Sequence, residues 1–336
     1  PDGLKLATID GLEIYPGWRM IFAKTIRIDE INLSGIEGKI FVNKNGEFNF
    51  DFITEGFNDS AATETVPADS ASSGWELSLG DLNIESLDFI YADRTTGDSI
   101  DLKIESFELD MDVLDIENQA FKAESISLQN SSIYAAIPAR ARESDSNTSS
   151  LLPEIGLEEL EILNAHISIK LGTEPAYEFQ LGQVFLETDE IDLNKNKFYV
   201  EELLLVDSQF NIPLPAQVAN TDSNTYSSTD QSTSFFVDIN LKVEEFELEN
   251  ISLRAFDQND TLHSLKRLSI SAEDISANSS GFTLDLKSLS GQYNEFDELQ
   301  EFHGDFAFQN SAAKANNMQL RYGQSTIKLE AVIEYD

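Results

Sequence analysis

Apolar and polar residues alternate with a period of two along nearly the whole chain, and no stretch repeats its apolar positions at helical spacing. Leu79, Leu82, Ile84, Leu87, Phe89 and Tyr91 form one such stretch, with Asp81, Asn83, Glu85 and Asp88 interleaved. Strands of this kind bury one face and wet the other. The segment from Leu82 through Ile84 and Leu87 to Phe89 returns as Leu160, Ile162, Ala165 and Ile167, and again as Phe246, Leu248, Ile251 and Leu253. A second block, Phe121, Ala123, Ile126, Leu128 and Ile133 followed by Pro138-Ala139, matches Phe198, Val200, Leu203, Leu205 and Phe210 followed by Pro215-Ala216. Ala23, Ile26, Ile28 and Leu33 form an earlier copy, and Phe282, Leu284, Leu286 and Leu289 a looser later one. Self-similarity at a period of roughly eighty residues indicates a stacked array in which each unit completes its neighbour's core.

Parity slips at a matching place in each copy of the first block: after Ile84, after Ile162 and after Leu248 the next apolar residue comes three positions on. A bulge or bend must absorb that slip, or the later side chains would change face. Repeated in every unit, it curls the sheet the same way each time. The expected fold is all-β: an elongated, curved antiparallel sheet of repeated units forming an open hydrophobic groove, a β-taco.

Polar, small-residue segments at 58–73, 141–150 and 218–234 read as long loops, all expected at one edge. They divide the chain into a partial first repeat (1–57), a second (74–140), a third (151–217), and a fourth with the start of the next (235–336). Tighter turns are signalled by Asn43-Lys44-Asn45-Gly46, Thr96-Gly97-Asp98 and Asn194-Lys195-Asn196. Trp18 and Trp75, each near the start of a repeat, read as core anchors.

Composition sharpens this picture. Hydrophobic residues make up 41% of the 336, too many for a disordered chain, and Phe, at 22, heavily outnumbers the three Met. The 61 acidic against 22 basic residues leave a formal charge of −39. Nucleic acid is thereby excluded as a partner, because phosphate binding needs clustered Lys and Arg, and electrostatic docking on anionic headgroups is disfavoured for the same reason. The chain has no cysteine, so disulfides, thiolate metal sites and Cys catalysis are excluded. No run of about 18 apolar residues is present to span a bilayer as a helix. No signal peptide is visible, and the chain opens at Pro1-Asp2-Gly3 and stops within a strand-like pattern. That reads as a fragment whose targeting and anchoring segments lie elsewhere.

Sites for chemistry are absent from the pattern. His166, His263 and His303 lack partners at metal-ligand or triad spacing, and no nucleophile-elbow, zincin, phosphate-loop or dinucleotide motif occurs. Asp110, Asp112, Asp115 and Glu117 are dense enough to suggest Ca²⁺, but they lack the Gly-containing loop of a strong site and read as a solvated face. The expectation is no enzyme, no cofactor and no metal. Asp59-Ser60-Ala61 and Asp69-Ser70-Ala71 resemble the short acceptor motif of bacterial O-glycosylation, which would mark Ser60 and Ser70 for modification.

The strands of Leu4 to Phe52, ending in Asn43-Lys44-Asn45-Gly46-Glu47-Phe48-Asn49-Phe50, together with Gly74-Trp75-Glu76-Leu77 running on to Phe89-Ile90-Tyr91-Ala92-Asp93, resemble the repeats of AsmA-like and TamB-type envelope proteins. The acidic, Phe-rich, Ser-looped style is most similar to Bacteroidetes members. The resemblance implies a periplasmic segment of a parent protein anchored in the inner membrane, a groove for phospholipid acyl chains on their way to the outer membrane, and a TamA-type β-barrel as a partner.

The inward set expected to line that groove is Ile26, Ile28, Leu82, Ile84, Leu87, Phe89, Phe107, Leu109, Phe121, Ile126, Leu128, Leu160, Ile162, Ile167, Phe198, Leu203, Leu205, Phe246, Leu248, Ile251 and Leu253. The rival expectation is an array of separate adhesin-like β-sandwich domains, stabilised by Ca²⁺, which repeats of this length suit nearly as well.

Overall fold

The computed structural model describes residues 6–17, 25–50, 76–115, 120–138, 153–214, 239–256, 262–296, 298–309 and 312–334. These residues form strands and no helix. The chain divides into two compact units, Pro1–Gln180 and Leu181–Asp336, so the third expected repeat contributes to both. Trp18, Trp75, Ser60, Ser70 and Glu117 lie outside the described residues.

The first unit holds β1 (Ala7–Thr8), β2 (Gly11–Pro16), β3 (Thr25–Val42), β4 (Glu76–Asp93), β5 (Ser99–Asp115), β6 (Ala120–Ile137), β7 (Glu154–Leu171) and the opening of β8 (Tyr177–Asp192). The short strands β1 and β2 share one edge of β3, and pairing then runs β3, β4, β5, β6, β7. The second unit takes up β8 and adds β9 (Lys197–Val206), β10 (Gln209–Pro213), β11 (Asn240–Phe256), β12 (Leu262–Asn278), β13 (Gly281–Tyr293), β14 (Leu299–Gln309), β15 (Ala312–Tyr322) and β16 (Ser325–Glu334). There β9 sits between β8 and β11, β10 also pairs β11, and an antiparallel meander runs from β11 to β16.

The all-β class is as expected, but the sheet is mixed rather than antiparallel. β3 runs parallel to β4, β6 to β7, and both β9 and β10 to β11. The physical reason lies in the three long polar segments. A parallel neighbour can be reached only by a crossover of a dozen or more residues, and these segments join β3 to β4, β6 to β7 and β10 to β11. The three recurring Leu/Phe blocks are accordingly the strands that follow a crossover, β4, β7 and β11. The second block supplies the strands before one, β6 and β9–β10. Its looser copy, β13, instead turns directly into β14 as part of the meander.

The parity slip also has a definite form. Ser86, Asn164 and Asn250 have φ of 59, 55 and 53°, and Gly35, Asn130 and Asp207 adopt the same left-handed conformation. In the first unit the register runs on unbroken past Gly35, Ser86, Asn130 and Asn164, so these residues share one line across β3, β4, β6 and β7. A bulge would add a residue to one strand only. In the first unit neighbouring strands turn together instead, whereas in the second the β11–β12 register shifts between Leu248 and Ile251, so the slip at Asn250 falls at a bulge. Asn130 Nδ2 donates to Glu105 Oε2 at 2.7 Å, and Asn164 Nδ2 to Asn130 Oδ1 at 3.2 Å, along that line.

All three expected turns form. Asn43 Oδ1 accepts from the Asn45 and Glu47 amides with Gly46 at φ 83°. Asp93 Oδ1 accepts from the Thr95 amide ahead of Gly97, and Asp192 Oδ1 from the Asn194 amide ahead of Asn196.

Candidate functional site: the apolar face

Hydrogen-bonded register gathers the alternating apolar residues into rows that cross the strands. In the first unit, Ile31, Leu82, Leu109, Ile126 and Leu160 are successive partners, and so are Leu33, Ile84, Phe107, Leu128 and Ile162. Beyond the left-handed residues the face is kept by Ile36, Leu87, Ile104, Ser131 and Ala165, then by Gly38, Phe89, Leu102, Ile133 and Ile167. Gly38 is small for a reason: a Cβ there would lie 2.9 Å from the Phe89 ring, which covers it. Phe121 meets Leu114 on one side and Ile155 on the other, and Ile28 meets Leu79.

The second unit carries rows of its own. Val184, Leu205, Leu248, Ile270, Leu289, Phe302, Leu320 and Ile327 pair in succession. Leu186, Leu203, Phe246, Ala272 and Leu286 form a second row. A third joins Ile191, Phe198, Leu241, Ala277, Phe282 and Phe308, with the last two rings 6.2 Å apart. Ile251 and Leu253 lie past the bend, opposite Leu268 and Leu265.

Every member of the expected lining whose side chain is described is half-buried, except Ile251, which is buried at 3% exposure. The Ile26 side chain lies outside the described ones, although its backbone pairs with Leu77. The buried apolar residues among those described are mostly small, Ala123, Ala165 and Ala272 with Val42, Val243, Ile251 and Leu286. The large side chains of the rows thus keep part of their surface uncovered, which a sealed core would not allow.

Three features escaped the sequence. The rows recruit Ile31, Leu102, Ile104, Val184, Ile270, Phe302 and Leu320, which alternate in the same way but are not members of the recurring blocks. Ser131 breaks its row: it is 4% exposed and its Oγ has no hydrogen-bond partner. His166 also has a neighbour, because Glu178 Oε2 lies 2.8 Å from its Nε2 and Glu178 Oε1 accepts from Ser168 Oγ at 2.8 Å. Serine and histidine here both face the carboxylate, not each other, so the contact by which a base activates a hydroxyl is missing.

The other face is polar. Glu13, Asn32, Asn83, Glu108, Ser127 and Glu161 make a row of successive partners, with Asn83 Nδ2 donating to Asn32 Oδ1 at 2.9 Å. Carboxylates crowd near one end of these strands. Partial burial, and then the neighbouring Asp110, raise the Asp81 pKa above its ordinary value. Glu124 is raised chiefly by repulsion from Asp110, with Glu158 and Asp112 adding to it. Among the described residues, no three His, Asp or Glu are grouped to hold a metal ion, and Asp110, Asp112 and Asp115 form no such cage.

No known family model matches the chain, and no match is found among curated proteins or solved structures.

Proposed function

We propose that the apolar face is a carrier surface for phospholipid acyl chains, and that the chain is a segment of a lipid-transfer bridge. The observation that carries this reading is the set of apolar rows that cross strand after strand while their large side chains stay half-buried. A buried CH₂ is worth about 0.8 kcal/mol, so drawing an acyl chain of about 16 carbons into water costs roughly 13 kcal/mol. Sliding along continuous rows avoids that cost at each step while the headgroup stays in solvent. No catalytic residue is needed.

Curvature into a groove is supported by chain length as well as by the shared left-handed residues. β6 and β7 are paired from Ala120 with Glu154 to Ile137 with Leu171. Held flat, a strand of that length spans about 56 Å at about 3.3 Å per residue, and the connection from Ile137 back to Glu154 reaches at most about 61 Å. Bending at Asn130 and Asn164 brings the two ends closer and relieves a connection otherwise drawn nearly taut. On this reading, and in line with the resemblance to AsmA-like and TamB-type proteins, the segment works in the periplasm within a parent anchored in the inner membrane. A TamA-type barrel is then its partner at the outer membrane, in support of outer-membrane biogenesis.

The experiment is native mass spectrometry of the chain purified from a bacterial periplasm. Phospholipid adducts are expected on the parent chain, and at least a tenfold loss of them on Ile84→Glu and Leu205→Glu, with far-UV circular dichroism unchanged. Equal lipid on parent and variants contradicts the reading.

A further inference from the structure

The turn between β13 and β14 carries parallel rings. The planes of Tyr293 and Phe296 differ by 5° with centroids 6.0 Å apart. His263, near the start of β12, lies 17° from the plane of Tyr293 with centroids 6.3 Å apart. Parallel rings at such distances are offset rather than eclipsed, so each keeps part of a face bare. Tyr293 is 42% exposed and Phe296 64%, more than any other large apolar residue described. A lone exposed ring needs no explanation; parallel rings on a fixed turn do.

Hydrogen bonds tie this turn down. The Phe296 amide donates to the Tyr293 carbonyl at 3.0 Å, and Gln292 Nε2 donates to the Phe296 carbonyl at 3.0 Å. Asn294, at φ 50°, donates its amide to the Ser264 carbonyl at 2.8 Å and accepts from the Ser264 amide through Oδ1 at 2.7 Å. His263 Nδ1 and Tyr293 Oη are hydrogen-bonded at 2.8 Å, which fixes the two rings against each other. The rings are thus set before any ligand arrives, and little side-chain entropy is left to lose on binding.

The polar groups around the rings select the ligand. Exposed Glu295 and Glu298 flank them, and Arg267 is engaged by Glu298 at 3.4 Å and by Gln292 Oε1 at 3.3 Å. Two carboxylates at the rim repel a phosphate or an anionic headgroup and accept hydrogen bonds from hydroxyls. The negative faces of the rings attract the slightly positive C–H bonds that one side of a pyranose ring presents together. A C–H side with hydroxyls around it is the chemistry of a neutral sugar; an acyl chain has the first and lacks the second. We infer that His263, Tyr293 and Phe296 form a platform for a neutral pyranose glycan, which stacks on the rings while its hydroxyls meet Glu295 and Glu298. This goes beyond the carrier role, because the platform lies at the turn beyond Leu289 and needs no acyl chain. So small a contact gives binding in about the millimolar range.

The test is saturation-transfer NMR of the whole chain titrated with cellotetraose and with N-acetylchitotetraose around 1 mM. Transfer to the ring C–H protons of one or both sugars is expected. The affinity should fall about tenfold in Phe296→Ala, the loss of one stacked contact. Phe296→Trp should keep it. Tyr134→Ala, which removes an exposed ring from the first unit, should leave it unchanged. Should Phe296→Ala lose its strand signal in circular dichroism, Phe296→Leu removes the ring and keeps the bulk. No transfer with either sugar, binding untouched by loss of the Phe296 ring, or an equal loss in Tyr134→Ala overturns the inference. So does binding of phosphatidylcholine vesicles that depends on Phe296 in place of sugar transfer, which would make the rings a membrane contact.

Discussion

A residue with positive φ in mid-strand is unfavourable for most side chains by about 1–2 kcal/mol, and Gly, Asn and Asp bear it best. The bends are occupied accordingly, by Gly35, Asn130 and Asn164 in the first unit and by Asp207 and Asn250 in the second, with Ser86 and Arg267 the exceptions. Asn250 Nδ2 also donates to Asp207 Oδ1 at 2.5 Å, joining two bent strands. Asn250→Val should therefore lower unfolding stability by about 1–2 kcal/mol, while Asn250→Gly should stay within about 0.5–1 kcal/mol of the parent. Chemical denaturation midpoints check this, and equal losses in both variants would show that φ is not the cause. The slip itself was legible in the spacing of Ile84 and Leu87. Its form was not, because a bulge in one strand, as where β11 meets β12, and a turn shared by neighbouring strands, as at Ser86 and Gly35, displace parity by the same single residue.

Between elements, alternation reports which face of a strand is covered and nothing about its direction, which is why the parallel pairs were not read from the sequence. A trace of them was present all the same: segments 58–73 and 218–234 are far longer than a hairpin needs, and each parallel pair is joined by such a connection. Register brings Asp81, Asp110 and Glu124 to neighbouring strands near one end of the first unit, where Asp81 and Glu124 are held above their ordinary pKa values. A carboxyl raised in the folded state binds protons more tightly there than in the unfolded chain. Its contribution is thus complete near and below pH 4 and is lost as pH rises through the raised value. Asp81→Asn should stabilise the chain at pH 7 by about 0.5 kcal/mol, the scale of an exposed charge interaction, and should flatten the stability difference between pH 4 and pH 7. Thermal melts at the two pH values decide it. An unchanged difference would mean that Asp81 titrates alike in both states.

Across the molecule, each unit spends its apolar residues on rows rather than on a sealed interior. The lining was legible wherever a block recurs, as at Leu82 and Ile84 or Leu203 and Leu205. It was missed on β8, β12, β14 and β15, whose alternation has no recurring block to mark it. Ser131 was not legible, since a single hydroxyl in an apolar row follows no period. The central claim, that these rows carry acyl chains, predicts a sharp contrast between adjacent positions on one strand. Leu128 belongs to an apolar row and Ser127 to the polar one opposite. The most direct measurement places a photoreactive amino acid at each in turn, irradiates the chain in the periplasm, and looks for phospholipid adducts by mass spectrometry. The carrier role predicts adducts at position 128 and none at 127; adducts at both, or at neither, would contradict it.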